Sequence, residues 1–427
     1  MLKINYMSTL FVGIDISSKS NVVCAIDFFK NQLLKSSVSN NQPGAYDLIS
    51  QIVSVMHKHT DLNTVVVALE STSIYSIHIA NYLSSSEELM PYHPYVFCLN
   101  PKVTANYRKS FIGMSKTDLL DAFVIADFAH VRRIETDPWR GSQFLALQRL
   151  TRHRLHLVEA LTREKTYMVS NMFLKFSELS ILPKEERPFC DNYGATASSV
   201  LTEFLSMEEI IDTSPEELIA FLCEKSRNRI EDLDKTVDLL KKAASDSYRL
   251  DKCLYEPLNI SLPSSFNCID AFKNEIKIIE KAILKAIAGL HPNAYTILMS
   301  IDGIGPVFAS GILAEIGDIT AFHSQDALAK YAGLTWTRNQ SGEFEADESR
   351  MTKAGNRYLR YYLGEAANSM RNHTVEYHDF HYKKYNEVPK HKHKRALALT
   401  SRKLVRLIFG VLTKEKLYST DKADASS

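Results

Sequence analysis

An α/β domain followed by an almost wholly helical chain is the fold that the sequence predicts, and three features point to it. Short apolar runs with strand character alternate with amphipathic helical spacing over the first 140 residues. From Phe144 to Leu179 apolar residues recur in steps of three, four and seven, the stripe of a helical hairpin or coiled coil. Beyond residue 294 two short helical runs flank Asp302-Gly303-Ile304-Gly305-Pro306, and helical sequence continues almost to the end. The expected domains are 1–140, α/β; 141–293, an all-α coiled-coil middle; and 294–427, mainly α.

Leu10 to Ile16, LFVGIDI, is a short apolar run carrying one acid, Asp15. Two further runs, Asn21 to Ile26 and Gln32 to Val38, are separated by polar segments and read with the first as an antiparallel meander. Pro43 to His57 then places Ala45, Leu48, Ile49, Ile52, Val53 and Met56 on one helical face. Thr64 to Leu69, TVVVAL, has the unbroken apolar character of a strand buried on both sides, and it ends in Glu70. A helix over Ile74 to Leu83, a strand over Tyr95 to Leu99 and a helix opening after Ser115 complete the expected domain.

The acids decide its chemistry. An aspartate in a β-rich run is costly to bury unless something pairs with it. Glu70 stands at the carboxyl end of a strand, where open α/β sheets keep their sites. Asp118 and Asp121 fall one turn apart on one helix face, so their charges repel unless both are solvated or a cation sits between them. Capping is the plainer reading, because acids near a helix N-terminus complement its dipole and Ser115 precedes Asp118 at capping-box spacing. The joint order of elements and acids matches the ribonuclease H-like nuclease fold, in which the first strand, the fourth strand and the last helix bring acids to one sheet edge. Asp15, Glu70, Asp118 and Asp121 occupy those stations. Such a set suits two divalent ions about 3.5–4 Å apart for in-line phosphoryl transfer, and hard carboxylate oxygens favour Mg²⁺ or Mn²⁺.

Composition narrows the classes. The 427 residues suffice for two to four domains, and no run approaches the roughly 18 apolar residues of a membrane span. The N-terminus lacks signal-peptide character, so a cytoplasmic address and no membrane partner are expected. Six scattered cysteines form no CxxC pair, which predicts reduced thiols and no zinc site. Net charge is +1, yet Lys383 to Lys416 holds eleven Lys and Arg against Glu387 and Glu415. A solvated basic tail and a phosphate-binding surface both fit that surplus.

In the middle region Arg149, Arg152, Arg154, Arg163 and Lys165 read as the wet face of a long helix, with nucleic-acid contact as the alternative. Ser214, Pro215 and Glu217 form a clean helix start, and further helices are expected over Arg227 to Asp246 and Ala271 to Leu290. Helical pairs that cannot bury themselves alone predict an oligomer.

Near the C-terminus, Gly303 and Gly305 allow a tight turn whose amides can face a phosphate, as in a helix-hairpin-helix unit; a plain glycine cap is the alternative. The polar loop Thr335 to Glu348 carries Ser341 beside Gly342, and Arg350, Lys353, Arg357 and Arg360 follow at roughly helical intervals. A serine among cations can attack a phosphodiester, although serines in loops are usually turn formers.

GIDISSK, VALES, KTDLLDA, SIDGIG, AEIGDITAF, YAGL, NQSG and TKAGNRYLR, in that order, closely resemble transposases of the insertion-sequence-110 class, which includes the related pilin-gene invertases. The resemblance covers about residues 10–130 and 295–375. It implies a RuvC-like domain whose acids, here Asp15, Glu70, Asp118 and Asp121, bind Mg²⁺, and a C-terminal transposase domain whose serine, here Ser341, becomes covalently joined to DNA. It further implies DNA and a structured guide RNA as partners and a homo-oligomer, dimer or tetramer. Asp302 stands where the family's hairpin commonly begins with proline, and TWTRNQSG is spaced unlike the proline-bearing version of the family's loop. The expected activity is cutting and rejoining of DNA through a serine–DNA bond. The rivals are a metal-dependent nuclease using water, a DNA invertase working without RNA guidance, and a DNA-binding remnant without catalysis.

Overall fold

The computed structural model describes residues 4–71, 74–111, 117–131, 134, 138–139, 142–336, 340–341, 344–345 and 351–419. The chain divides into two compact units, one made of Met1–Ala146, Ile316–Tyr331 and Val405–Lys414, the other of Leu147–Glu315, Ala332–Leu404 and Glu415–Ser427.

The first unit is built on a mixed sheet. Its elements are β1 (Thr9–Ile16), β2 (Ser20–Ile26), β3 (Gln32–Ser39), α1 (Gln42–Lys58), β4 (Thr64–Glu70), α2 (Tyr75–Ser84), β5 (Tyr95–Leu99), α3 (Pro101–Arg108) and α4 (Asp118–His130). The strands lie in the order β3-β2-β1-β4-β5; the first three form the expected antiparallel meander, while β4 and β5 run parallel to β1. Strand alternation sorts the core into two layers. Leu10, Val12 and Ile14 pack with Leu48 and Ile52 of α1 and Ile79 of α2; Phe11, Val66, Ala68 and Phe97 pack with Ala122, Ile125 and Ala126 of α4.

Two details differ from the sequence reading. Thr117, not Ser115, caps α4, its hydroxyl accepting from the Leu120 amide at 3.2 Å; Ser115 lies outside the described residues. The second is α3, which was not expected between β5 and α4. Its start signal is present in Asn100-Pro101, with the Asn100 carboxamide accepting from the Lys102 amide at 2.9 Å and proline at the first turn.

The second unit is mostly helical. It takes all but the first turn of α5 (Ser142–Lys175), followed by α6 (Ser177–Ile181), α7 (Ala195–Glu203), α8 (Met207–Asp212), α9 (Pro215–Ser226), α10 (Leu233–Asp246) and α11 (Lys252–Leu290). Met168, Met172 and Phe176 join residues from α7 to α11 in one core. The capping box expected at Ser214 and Glu217 is formed. Where the sequence pointed to a helix from Ala271, α11 begins at Lys252 and runs through Pro257 and Pro263. Burial of Leu258, Leu262 and Phe266 holds it across positions at which proline removes a backbone donor. The basic residues of α5 are not simply a wet face, since Arg152 pairs with Glu315 and Arg154 with Glu280.

Beyond α11 come α12 (Pro292–Met299), α13 (Pro306–Ile316), α14 (Gln325–Ala332), a two-residue hairpin of β6 (Gln340–Ser341) and β7 (Phe344–Glu345), then α15 (Arg357–His373), α16 (Val375–Asn386) and α17 (Lys392–Lys414). The basic surplus therefore lies largely on ordered helices rather than a tail. Several of its cations are engaged: Arg395 and Lys384 with Glu387, and Lys403 with Glu376 and over the rings of Tyr377 and Phe380. No described helix is long and apolar enough to cross a membrane, and all six cysteines are free thiols.

Candidate metal centre

Asp15, Asp118 and Asp121 each offer a carboxylate oxygen, and these oxygens all lie within 4.8 Å of one another. Glycine makes that meeting geometrically available. Gly13 sits two residues before Asp15 on the same face of β1, and a Cβ there would fall 2.1 Å from the Ala122 carbonyl oxygen and 2.3 Å from the Ala126 amide nitrogen. Only a residue without a side chain lets α4 lie this close to β1. The first turn of α4, carrying Asp118 and Asp121, is thereby brought over the end of the strand. Asp118 is exposed, and Asp15 and Asp121 are half-buried.

Glu70 is placed differently. It shares a face with Ala68 on β4, the strand parallel to β1, but it is not one of the three clustered acids. Instead Glu70 Oε2 accepts a hydrogen bond from the hydroxyl of buried Thr104 on α3 at 3.2 Å. The same helix sends Arg108 to Asp121 in an ion pair and Tyr107 to the buried Asp127 of α4, at 2.7 Å. Lys30 takes the other Asp127 oxygen at 2.7 Å.

In the second unit Ser341 stands on β6, opposite Phe344 of β7. The hairpin is closed at its base by a bridge between Trp336 and Met351 and by the Thr352 amide donating to Thr335 O at 2.8 Å. Arg350 lies outside the described residues. Lys353 precedes the helix, in a left-handed conformation at φ 49°, so it does not continue the helical spacing of Arg357 and Arg360. Asn356 caps α15 instead, accepting from the Tyr358 and Leu359 amides. Arg357 lies over the Tyr358 ring, and Arg360 donates to the carbonyls of Ala332 and Lys353, at 3.0 and 3.1 Å. Gly303, at φ +90°, makes the turn between α12 and α13 and approaches Met370 of α15; the space beside Gly305 is open.

Residues 12–176 match a family model described as a transposase of the IS110 DEDD type, and residues 295–382 match the IS116/IS110/IS902 transposase family. The chain belongs to the IS110 class of transposases. An uncharacterized 44.8 kDa protein of insertion element IS116 from Streptomyces clavuligerus is 22% identical over 413 residues, 96% of each chain. A 42 kDa protein of insertion element IS900 from Mycobacterium paratuberculosis is 25% identical over 354 residues, 82% of this chain and 83% of that one. A 43.6 kDa protein of insertion element IS110 from Streptomyces coelicolor is 33% identical over 103 residues, 24% of this chain and 25% of that one. Membership makes the chain a DNA transposition and recombination protein.

For an IS110-class transposase the donor chemistry fits a hard divalent cation. The clustered ligands are oxygens alone, and an octahedral ion with ligands at about 2.1 Å keeps those oxygens roughly 3–4 Å apart. The oxygens of the three acids lie within 4.8 Å of one another, so that spacing is within reach of small side-chain rotations. Sequence reasoning missed Thr104, Tyr107 and Arg108. Their spacing was the available signal, since three and four residues apart they share one face of a helix that Asn100-Pro101 announces.

Proposed function

We propose that this transposase cuts and rejoins DNA through a covalent serine–DNA phosphodiester, with Ser341 as nucleophile and Asp15, Glu70, Asp118 and Asp121 holding Mg²⁺ or Mn²⁺. The convergence of Asp15, Asp118 and Asp121 carries this reading. The strand order β3-β2-β1-β4-β5, with acids at the ends of β1 and β4 and at the start of α4, supports a ribonuclease H-like, RuvC-like domain. When bound, the cation would neutralise charge on the scissile phosphate and lower the barrier to in-line displacement.

In the covalent step the Ser341 hydroxyl loses its proton and its oxygen bonds to phosphorus, while the bond from phosphorus to the leaving sugar oxygen breaks and that oxygen takes up a proton. Rejoining is the reverse displacement by a strand hydroxyl, which releases the serine. One phosphodiester is exchanged for another, so no nucleotide hydrolysis is required. The turn at Gly303 and Gly305 and the cations Arg350, Lys353, Arg357 and Arg360 would contact the DNA or RNA backbone, with a structured RNA choosing sites and two or four protomers acting together.

The test is to trap the adduct. Purified protein with Mg²⁺, element-end DNA and transcript from the element's flank should give a protein–DNA species resistant to denaturation, absent for Ser341→Ala and for Asp118→Asn. Cleavage by Ser341→Ala at the wild-type rate would instead make water the nucleophile. Adduct formation without the transcript would remove RNA guidance and leave the serine chemistry standing.

A further inference from the structure

Helix α3 reaches two of the four acids and is itself anchored. The Tyr107 hydroxyl donates to Asp127, which is 3% exposed and also paired with Lys30, so this contact pins α3 to α4 away from the acid cluster. Thr104, 4% exposed, divides its hydroxyl between Glu70 and the Pro101 carbonyl. Arg108, the last residue of α3, extends to Asp121 with its side chain 23% exposed. A carboxylate has lone pairs enough for a guanidinium and a divalent cation at once, but the two positive charges repel at that range, so each weakens the other's hold on Asp121.

We propose that Arg108 is a displaceable counter-ion of the metal centre: a divalent cation and Arg108 compete for Asp121, and the released guanidinium binds a DNA backbone phosphate. This rests on reading the acids as a cation site. Because Tyr107 and Thr104 hold the body of α3, the long Arg108 side chain can change partner without moving the helix. Its planar fork of donors suits phosphate as well as carboxylate. A phosphate that draws Arg108 away raises the affinity of the acids for the cation, and by linkage the cation raises the affinity for DNA by the same factor. Arg108 thereby couples assembly of the metal centre to the arrival of substrate.

The experiment measures Mn²⁺ binding to the full chain by the loss of the free-ion electron paramagnetic resonance signal, with and without a short duplex. Wild-type protein should bind Mn²⁺ about tenfold more tightly with the duplex present, within the usual range of coupling between sites. Arg108→Ala should bind Mn²⁺ about tenfold more tightly than wild type without DNA, and the duplex should then add little. Arg108→Gln, which keeps donors and loses the charge, should behave as Arg108→Ala does, and circular dichroism establishes that each variant is folded. Equal or weaker Mn²⁺ binding by both folded variants, with binding still lost in Asp118→Asn, overturns the role of Arg108 and spares the metal centre. Mn²⁺ binding that is unchanged in Asp118→Asn overturns the cation site itself, and this proposal with it.

Discussion

Glu315 is wholly buried and receives Arg152 through two hydrogen bonds of 2.8 Å, Gln148 at 3.1 Å and Asn356 at 2.7 Å. Asp15, Asp118 and Asp121 instead turn toward one another at the edge of the sheet, with Arg108 at one of them. Around Glu315, itself on α13, the donors come from two elements, α5 and the cap of α15, and Arg152 also lies over the Tyr358 ring at 4.3 Å. A single carboxylate with that many donors is a structural fastening, and its charge is answered inside the chain. Several carboxylates facing each other create a field that favours a cation from outside. The contrast separates an acid whose charge the chain itself answers from acids grouped as the ligands of a cation would be.

Three substitutions test that contrast. Gly13→Ala should have the largest effect, because the added carbon meets backbone of α4, which cannot rotate away as a side chain can. Displacing α4 by about 1 Å would cost on the order of a hundredfold in strand cleavage and about 3 kcal/mol of stability. Cleavage assays and thermal melts read the two effects, and wild-type behaviour in both would mean that the Asp15–Asp118–Asp121 meeting does not depend on this close approach. Glu315→Ala comes next. It leaves Arg152 without its carboxylate in a mostly buried site, with an expected loss of about 3–5 kcal/mol in the second unit and unchanged Mn²⁺ binding. Weakened Mn²⁺ binding in that variant would break the distinction between the two acid centres.

Much of this was legible before folding, and the boundary has physical causes. The isolated Asp15 and the terminal Glu70 announce themselves because β1 and β4 are buried on both faces and read as nearly unbroken apolar runs in which an acid stands out. The clustering of Asp118 and Asp121 follows from helix geometry alone. The neighbours of these acids are hidden, since Arg108 and Asp121 are joined through tertiary packing of two helices that share no repeat. Arg152 shows the same limit: on α5 it resembles any solvated cation, and the partner that changes its meaning, Glu315, lies far along the chain. The expected start at Ala271 fell short in α11, which begins at Lys252 and runs through Pro257 and Pro263 because burial outweighs a local preference.

Lys175 gives the subtlest test, because there a buried cation is answered by carbonyls. It is fully buried and donates to the carbonyls of Leu201 and Phe204, at 2.7 and 2.8 Å, closing the C-terminal end of α7. Burial lowers its pKa to about 8, against a weaker opposing pull from Glu209. Below about pH 8 the lysine is protonated in the folded and the unfolded chain, and it adds no pH dependence. Between that value and its ordinary 10.5 the unfolded chain holds a proton that the folded chain has released, so this group raises folded stability as pH increases. The gain is at most about 3 kcal/mol. Hydrogen exchange of the α7 amides, compared between wild type and Lys175→Met, cancels the intrinsic pH dependence of exchange. Protection in wild type should rise relative to Lys175→Met from pH 8 to 10. A constant difference would mean that the two carbonyls compensate the charge as fully as water does, and that a buried ion here needs no opposite charge at all.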